Sequence, residues 1–360
     1  MRRYVRLGLL VGLVGVLFGA SSGETSASPG TITLVSVSTA GSQGNFHSMQ
    51  PSISDDGLYV AFTSQASNLL SCDAKGVGDV LVRDRGTSIT RLVSVDSSGC
   101  QSDQGGGEPA VSSDGRYIAF QSGGSDLVSG ETNNSADVFV HDRQTGITER
   151  VSIDSDGIQG NGWSTRPDTS SDGRYVAFDS MASNLVTDDT NSVPDIFVHD
   201  RQTGTTERVS VDSAGNQANK YSDRAAISAD GRYVAFPSPA TNLGGGSDVY
   251  ADCFLRDRQD GVTELVAGST NGSCSAVDVS ADGRYVAFDS DASDLVPGDS
   301  NGAIDVFLLD RGPGSVGGVA ELPSVLDSSA SNYVALAGSV AAVLVAFTAG
   351  AWYARRRWGR

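Results

Sequence analysis

The sequence has 360 residues and a formal net charge of −18 at pH 7. Residues 28–332 hold 18 basic and 42 acidic side chains, which gives this region a net charge of −24. Such a region repels nucleic acids and anionic lipids, so nucleic acid is excluded as a partner. The many glycines, 44 in all, together with a charged fraction of 19%, favour an all-β, turn-rich fold.

Residues 1–27 are typical of a secretory signal peptide. Arg2, Arg3 and Arg6 precede Leu7–Gly19, an apolar run of 13 residues. That length is short for a membrane span and normal for the apolar region of a signal peptide. Small residues follow as far as residue 27, where cleavage is expected. An uncleaved N-terminal anchor is the alternative.

A five-fold internal repeat occupies residues 31–311. The segment Asp-Gly-Arg-Tyr-Val-Ala-Phe, or a close variant of it, recurs at intervals of 58, 58, 58 and 52 residues. Its glycine is Gly57, Gly115, Gly173, Gly231 and Gly283. Repeats of this length are typical of propellers and solenoids, in which each repeat is one supersecondary unit.

Each repeat predicts four short strands. In the first repeat they are Pro51–Ser54, Tyr59–Ser64, Asp79–Val82 and Ile89–Val95. These runs are rich in β-branched and aromatic residues and are bounded by Gly, Asp and Ser. Four-stranded units repeated radially predict a five-bladed β-propeller. A linear β-solenoid, whose two ends need caps, is the alternative.

The N-terminal residues lie in the same phase as the repeat. Val35, Gly41 and Gln43 each precede their counterparts in the next repeat, Val93, Gly99 and Gln101, by 58 residues. The mature chain therefore begins at a fourth strand, which we expect to complete the last blade and close the ring. Gly318–Ser324 is the rival for this place. Because Pro323 weakens it as a strand, we assign it to a linker at 312–332.

The repeat resembles that of TolB-type (WD40-like) propellers. The resemblance rests on Ser280–Phe288, Ser-Ala-Asp-Gly-Arg-Tyr-Val-Ala-Phe, followed by Asp-Val-Phe-Leu-Leu-Asp at Asp305–Asp310. This sequence departs from the family in having Ala, Ser or Asp where a proline is frequent, and in its five rather than six repeats. The resemblance implies an interaction or scaffold role in the cell envelope, by analogy of fold.

The C-terminal segment predicts a membrane anchor. Tyr333–Trp352 is a run of 20 uncharged residues, and four arginines follow it within the tail at 353–360. Because positive charge stays on the cytoplasmic side, we expect a single-pass helix with the propeller outside the cell membrane. A buried core helix is the alternative.

The four cysteines predict two disulfides in an exported protein. The loops after the second and fourth strands of a blade emerge on one face. We therefore expect the pairs Cys72–Cys100 and Cys253–Cys274. Other pairings, or free buried thiols, remain the alternatives.

No recognisable catalytic motif occurs in the sequence. Of three histidines, His141 and His199 occupy equivalent places in the repeat, and His47 stands alone. A glycan hydrolase remains the alternative to a binding protein, since three acids are expected near the central channel. These acids are Glu108, Asp168 and Asp278.

Two loops carry alternating oxygen ligands, a pattern that suits Ca²⁺. These residues are Asp189, Asn191 and Asp195 in one loop, and Asp299, Asn301 and Asp305 in another. Turn formation and loop capping explain the same residues without a metal. No other cofactor is expected.

Variation between repeats concentrates at two positions before the repeat glycine. Ten residues before it stand His47, Gly105, Trp163, Tyr221 and Ser273; seven before it stand Gln50, Glu108, Arg166, Arg224 and Ala276. These positions are predicted to ring the mouth of the central channel. Trp163 and Tyr221 beside Arg166 and Arg224, with His47 and Glu108, would suit a sugar ring or an acidic peptide. Packing between blades is the alternative role of Trp163. The sequence thus favours a non-catalytic, exported binding propeller for an envelope protein or a glycan, and it leaves the ligand open.

Overall fold

The computed structural model describes residues 31–70, 77–245, 249–268 and 271–312. The predicted signal peptide, the linker beyond Gly312, the predicted membrane helix and the basic tail lie outside these ranges. Within them, no helix combines the length and the apolar character that crossing a bilayer requires.

The described strands follow the five repeats. The first repeat forms β1 (Ser48–Ile53), β2 (Tyr59–Ser64), β3 (Asp79–Asp84) and β4 (Ile89–Leu92). The second forms β5 (Gly107–Val111), β6 (Tyr117–Ser122), β7 (Asp137–Asp142) and β8 (Ile147–Arg150). The third forms β9 (Ser164–Thr169), β10 (Tyr175–Ser180), β11 (Asp195–Asp200) and β12 (Thr205–Arg208). The fourth forms β13 (Ala226–Ile227), β14 (Tyr233–Ser238), β15 (Asp252–Asp257) and β16 (Val262–Ala267). The fifth forms β17 (Cys274–Val279), β18 (Tyr285–Ser290) and β19 (Asp305–Asp310).

Every repeat folds into its own antiparallel sheet, with the strands hydrogen-bonded in chain order. The first four sheets have four strands and the fifth has three among the described residues. The prediction of one blade per repeat is therefore confirmed, and four strands per blade are confirmed for the first four blades. A short 3-10 turn at Thr241–Leu243 interrupts the loop between β14 and β15.

Apolar side chains on both faces of each sheet pack against the neighbouring blades. Val80 and Val82 of the first blade pack with Phe120 and Phe139 of the second, and all four are at most 1% exposed. Equivalent clusters join the second blade to the third, the third to the fourth and the fourth to the fifth. The core therefore lies at the boundaries between blades, which explains why the Tyr-Val-Ala-Phe strand is apolar on both of its faces.

The tight turn of each repeat requires glycine for two reasons. Gly115 has a φ of +69°, a conformation that costs L-residues free energy. A Cβ atom at Gly115 would also overlap the ring of Tyr59 from the preceding blade. The same overlap recurs at the equivalent glycines of the next three blades. The Asp-Gly turn therefore shapes its own hairpin and also receives the tyrosine of the neighbouring blade.

The prediction that the N-terminal strand closes the ring is wrong for the described residues. Residues 31–35 form no strand, and the side chains of Ile32 and Leu34 are 98% and 56% exposed. Instead, Thr90 Oγ1 of β4 donates a hydrogen bond to the carbonyl of Val37 at 2.6 Å. This contact holds the segment against the first blade, as equivalent threonines hold the equivalent segments elsewhere. The rival segment Gly318–Ser324 lies outside the described residues.

The N-terminal segment nevertheless keeps the phase of the repeat. The isolated bridge between Val37 and Gln43 matches those at Val95–Gln101, Ile153–Gln159 and Val211–Gln217. Gly41 and its three counterparts share a φ between +83° and +86°. The segment therefore corresponds to the connection that, in the other repeats, leads from one blade into the next.

The fifth blade has an uncovered face. Val306 is 81% exposed and Leu308 is 65% exposed. Their equivalents in the fourth blade, Cys253 and Leu255, are at most 1% exposed because the fifth blade packs against them. Among the described residues, nothing covers the fifth blade in the same way.

Candidate functional site

A cavity of about 440 Å³ lies where the innermost segments of four neighbouring blades meet. Each of these blades contributes two consecutive residues, from β1, from β5, from β9 and from the segment just before β13. The lining residues are Gln50, Pro51, Glu108, Pro109, Arg166, Pro167, Arg224 and Ala225. We call this the central cavity. Its size is within the usual range for small-ligand sites.

The first residue of each lining pair has a backbone conformation in the left-handed region. The φ values are +53° at Gln50, +51° at Glu108, +51° at Arg166 and +54° at Arg224. Such values are uncommon outside glycine and cost about 1–3 kcal/mol each. In the first three blades the strand pairing also shifts register here, as in a β-bulge. A β-bulge changes the direction of a side chain, and the four residues with a left-handed φ all line one cavity.

The Arg166 guanidinium is held by two carboxylates. Its Nη1 atom lies 3.2 Å from Asp179 Oδ2 and 3.4 Å from Asp223 Oδ2. Burial raises the pKa of Asp179 to about 7, against the opposing effect of Arg166. Thr165 Oγ1 also donates to Asp179 Oδ2 at 3.1 Å, whereas Asp179 Oδ1 is buried without a hydrogen-bond partner. Arg166 therefore contacts two carboxyl groups within the protein, of which Asp179 has a raised pKa.

The first two blades contribute a carboxylate and an amide to the cavity. Gln50 Nε2 donates to Glu108 Oε1 at 3.3 Å, and Thr63 Oγ1 donates to Gln50 Oε1 at 2.9 Å. Glu108 Oε2 is buried and has no hydrogen-bond partner. Arg224 is exposed and forms no ion pair with any residue in the described ranges. The cavity thus presents the Arg224 guanidinium, whereas the unsatisfied Glu108 Oε2 atom is closed to solvent.

The structure brings together three of the six predicted binding residues. Glu108, Arg166 and Arg224 line the central cavity, and Gln50 joins them as their equivalent in the first blade. The other three, His47, Trp163 and Tyr221, do not line it. They sit just before the innermost segments, where the carbonyls of Trp163 and Tyr221 accept serine hydroxyls at 3.0 and 2.7 Å. The His47 and Tyr221 side chains are exposed, and that of Trp163 is half-buried.

Two acids considered for hydrolysis have structural contacts instead. Asp168 Oδ2 accepts the backbone N–H of Ile227 in the next blade at 2.8 Å. Ser52 Oγ accepts that of Val111 at 3.0 Å, which is the equivalent bond two blades earlier. Burial raises the pKa of Asp168 to about 6. Asp278 is exposed and accepts the N–H of the residue that follows it.

The contacts of the third-repeat loop do not fit calcium. Arg208 Nη1 lies 3.7 Å from both Asp189 Oδ1 and Asp195 Oδ2. The Gln217 amide donates to the same two carboxylates at 2.8 and 2.7 Å. Asn191 turns its amide nitrogen toward Asp195 at 3.2 Å. A guanidinium and two amide groups thus take the oxygen atoms that Ca²⁺ would need.

The fifth-repeat loop shows a similar arrangement without the arginine. Asn301 Nδ2 donates to Asp305 Oδ2 at 3.0 Å, and Asn301 Oδ1 accepts the N–H of Ala303 at 2.8 Å. Asp299 belongs to the same loop. In the part of the chain that is described, no group of three or more His, Cys, Asp or Glu side chains could hold a metal ion.

One of the two predicted disulfides is present. Cys253 and Cys274 are bonded, with their Cα atoms 5.7 Å apart, which confirms this pair. Cys100 is exposed and unbonded. Cys72 lies outside the described residues, so the pair Cys72–Cys100 stays a prediction.

Sequence reasoning missed the residues that surround Arg166. Asp179 occupies the variable place in the segment Tyr-Val-Ala-Phe-x-Ser, where other blades have Thr63, Gln121, Pro237 and Asp289. Three of these side chains contact a residue with a left-handed φ or its equivalent in the fifth blade: Thr63 binds Gln50, Gln121 binds the N–H of Arg166, and Asp289 binds the N–H of Ala276. Variation at this position within an otherwise constant segment was the signal that could have identified it.

The chain is similar to several solved propeller structures at low sequence identity. TolB from Acinetobacter baumannii is 16% identical, with a TM-score of 0.45, over 74% of this chain and 52% of that one. This chain thus corresponds to about half the length of that protein. A putative TolB from Agrobacterium tumefaciens is 16% identical, with a TM-score of 0.47, over 74% of this chain and 78% of that one. An oligogalacturonate lyase in complex with manganese is 14% identical, with a TM-score of 0.45, over 69% of this chain and 62% of that one.

No family model and no curated protein matches the sequence. TolB proteins, whose repeat the repeat of this sequence resembles, are among the solved structures that the chain matches. This likeness concerns the fold, which serves many functions.

Proposed function

We propose that this protein is a non-catalytic binding propeller whose ligand contacts the central cavity. One observation carries the proposal: the four residues with a left-handed φ share one backbone conformation but carry three kinds of side chain, an amide, a carboxylate and two guanidinium groups. Backbone strain of this kind persists at functional sites because the surrounding fold compensates for it. A repeat that served packing alone would favour glycine here.

The contacts of the acids support binding over hydrolysis. Glycosidases use two carboxyl groups about 5–9.5 Å apart on either side of the scissile bond. Asp168 is held in a bond between blades, and Asp179 is paired with Arg166. Of the three acids considered, Glu108 alone lines the cavity.

The proposal places this binding site outside the cell. The signal sequence at 1–27 and the apolar run Tyr333–Trp352 with its arginine tail support export and a single membrane anchor. We propose an envelope protein as the partner, and we expect it to bind at the central cavity of the membrane-tethered propeller.

This function can be tested by measuring the binding of the full-length protein, in nanodiscs, to panels of envelope proteins and glycans. We expect binding that Arg224→Gln and Arg166→Gln weaken and that Arg91→Gln leaves intact. Arg91 is the matched control because it is an exposed arginine on the outer strand β4. Equal binding by all three variants would place the ligand elsewhere. Glycan turnover that Glu108→Gln abolishes would instead support a hydrolase.

A further inference from the structure

We propose that a second cavity, between the first and second blades beside β4, binds an organic carboxylate with an apolar body, with Arg91 as its contact and Arg143 as a second positive charge. We call this the outer cavity. It is separate from the central cavity, so the inference goes beyond the proposed function.

At three boundaries between blades, a glutamate on the fourth strand pairs with an arginine of the next blade. The pairs are Glu149 with Arg201 at 2.5 Å, Glu207 with Arg258 at 2.6 Å, and Glu264 with Arg311 at 3.0 Å. In the first blade the residue equivalent to these glutamates is Arg91. The boundary between the first and second blades therefore has two arginines, Arg91 and Arg143, where the others have an ion pair.

Arg143 keeps the other contacts of its equivalents but lacks the ion pair. Its Nη1 atom donates to the carbonyl of Gly115, and its guanidinium lies 4.1 Å from the centre of the Tyr59 ring. Its Nε atom, which in Arg201 contacts the glutamate, is buried without a hydrogen-bond partner. Within the described ranges Arg91 also forms no hydrogen bond or ion pair. Neither guanidinium thus has a carboxylate partner in the part of the chain that the structure describes.

A cavity of about 490 Å³ adjoins both arginines. Its described lining residues are Leu70, Val82, Arg91, Leu92, Val95, Ser97, Ser98, Gly99, His141, Arg143 and Gly146. None of these is acidic, although the chain carries a net charge of −18. The lining combines four aliphatic side chains with two guanidinium groups, a composition that suits a ligand with an apolar body and a carboxylate.

The other titratable groups leave the positive charge of the outer cavity to the two arginines. Burial lowers the pKa of His141, whose Nδ1 atom lies 2.9 Å from Thr148 Oγ1. Two acids near this boundary, Asp84 and Asp96, do not line the cavity and form no ion pair with an arginine in the described ranges. Their carboxylates instead accept backbone N–H groups of their own turns. A ligand carboxylate therefore meets no competing acid among the described lining residues.

The two arginines have different parts in this site. The side chain of Arg91 is exposed, and a guanidinium presents two parallel N–H donors that match a carboxylate. Arg143 is half-buried and its Nε atom is closed to solvent, so it contributes its charge rather than a contact through that atom. A bound carboxylate thus takes the electrostatic place of the glutamate that stands at the other boundaries.

The experiment uses fluorine NMR of two matched probes, para-fluorobenzoate and para-fluorobenzamide, with the full-length protein in nanodiscs. Empty nanodiscs give the partition of each probe into lipid. We expect the benzoate to bind about ten-fold more tightly than the benzamide, since hydrogen bonds to charged groups are worth this factor or more. Acetate keeps the carboxylate without the apolar body, so it should compete at least about ten-fold more weakly than the benzoate.

Three variants assign the site. Arg91→Gln should remove the preference for the carboxylate. Arg91→Glu introduces the residue that stands at the other boundaries, so it should abolish binding while the midpoint of thermal unfolding stays at or above that of the wild type. Arg85→Gln should leave the affinity unchanged, because Arg85 is the exposed equivalent of Arg143 in the first blade and does not line the outer cavity.

The outcomes that would overturn the inference are distinct from failure of the proposed function. Equal binding of the two probes, or benzoate binding that both changes at Arg91 leave intact, would overturn it. Binding lost in Arg224→Gln instead would place the carboxylate at the central cavity. A lower unfolding midpoint for Arg91→Glu would contradict the absence of a partner for Arg143. None of these results bears on an envelope protein at the central cavity, for which Arg91→Gln remains a control because the two cavities share no lining residue.

Discussion

The guanidinium of Arg201 lies 4.4 Å from the ring centre of Tyr117, across the boundary between the second and third blades. The guanidinium of Arg116, on the same blade as Tyr117, lies 4.7 Å from the centre of the same ring. Equivalent pairs join the other boundaries, Arg143 to Tyr59, Arg258 to Tyr175 and Arg311 to Tyr233, at 4.1 to 5.0 Å. Each cation over a tyrosine ring is worth about 0.5–2 kcal/mol. The tyrosine of the Asp-Gly-Arg-Tyr motif therefore binds an arginine of the next blade and stabilises the boundary between them.

This relationship predicts that Gly173→Ala is more destabilising than Gly204→Ala. Both glycines have a left-handed φ, at +68° and +73°. A Cβ at Gly173 would overlap the ring of Tyr117, whereas a Cβ at Gly204 meets nothing within 4 Å. We expect about 1 kcal/mol for Gly204→Ala from backbone strain, and about 2–4 kcal/mol for Gly173→Ala from strain and overlap together. Urea denaturation of both variants measures the difference. Equal losses would mean that the tyrosine is not packed against the turn.

The uncovered face of the fifth blade predicts a second contrast. Leu255→Ala should cost about 2–5 kcal/mol because Leu255 is 1% exposed in the core. Leu308→Ala, at the equivalent position, should cost less than about 0.5 kcal/mol because Leu308 is 65% exposed. Chemical denaturation of the full-length protein provides both values. If the two variants lost the same stability, the face of the fifth blade would be covered in solution.

The sequence predicted the blades well because each repeat encodes its own sheet. The glycine of the Asp-Gly turn and the apolar Tyr-Val-Ala-Phe strand are local signals, and both recur five times. Closure of the ring is not local, and the phase of Val35 and Gln43 could not reveal which blade the N-terminus contacts. The bond between Thr90 and Val37 shows only that this segment contacts the first blade, whereas closure would require residues 31–35 to pair with β19, and they form no strand.

The candidate site was predicted in part for a similar reason. Glu108, Arg166 and Arg224 were identified because they vary at one repeat position. Asp179 was missed because an acid at the end of a constant strand resembles a solvated residue, yet it is fully buried against Arg166. The first calcium loop shows the same limit of local patterns, since its spacing could not show that Arg208 reaches the two aspartates.

The disulfide between Cys253 and Cys274 should stabilise the junction of the fourth and fifth blades. The two residues are 21 positions apart, and closing a loop of this length is worth about 3 kcal/mol in the chain-entropy model. Peptide mapping without reductant should recover this pair. Cys253→Ser with Cys274→Ser should lower the midpoint of thermal unfolding, and reductant should then have little further effect on it. A reductant effect of undiminished size in that variant would assign the stabilisation to another pair.

The buried Asp179 predicts that stability falls as pH rises from about 4 to about 7. Burial raises its pKa to about 7 in the folded protein, from about 3.8 for an exposed aspartate. Between these values the folded state binds more protons than the unfolded state, so the free energy of unfolding decreases as pH increases. Asp137 and Asp168, whose pKa values are raised to about 6, add to the same trend.

Asp179→Asn isolates the contribution of this one carboxyl group. Asparagine imitates the protonated form at every pH, so the variant should be more stable than the wild type at pH 8 by at least about 1 kcal/mol, since one pKa unit corresponds to about 1.4 kcal/mol. The difference should shrink as pH falls toward 3.8, below which Asp179 is protonated in both the folded and the unfolded wild type. Asp223→Asn is the control, because it removes the other partner of Arg166 from a half-buried position. Urea denaturation from pH 4.5 to 8 measures the slope. Parallel curves for the wild type and Asp179→Asn would show that Asp179 is ionised throughout this range, with Arg166 overcoming the effect of burial.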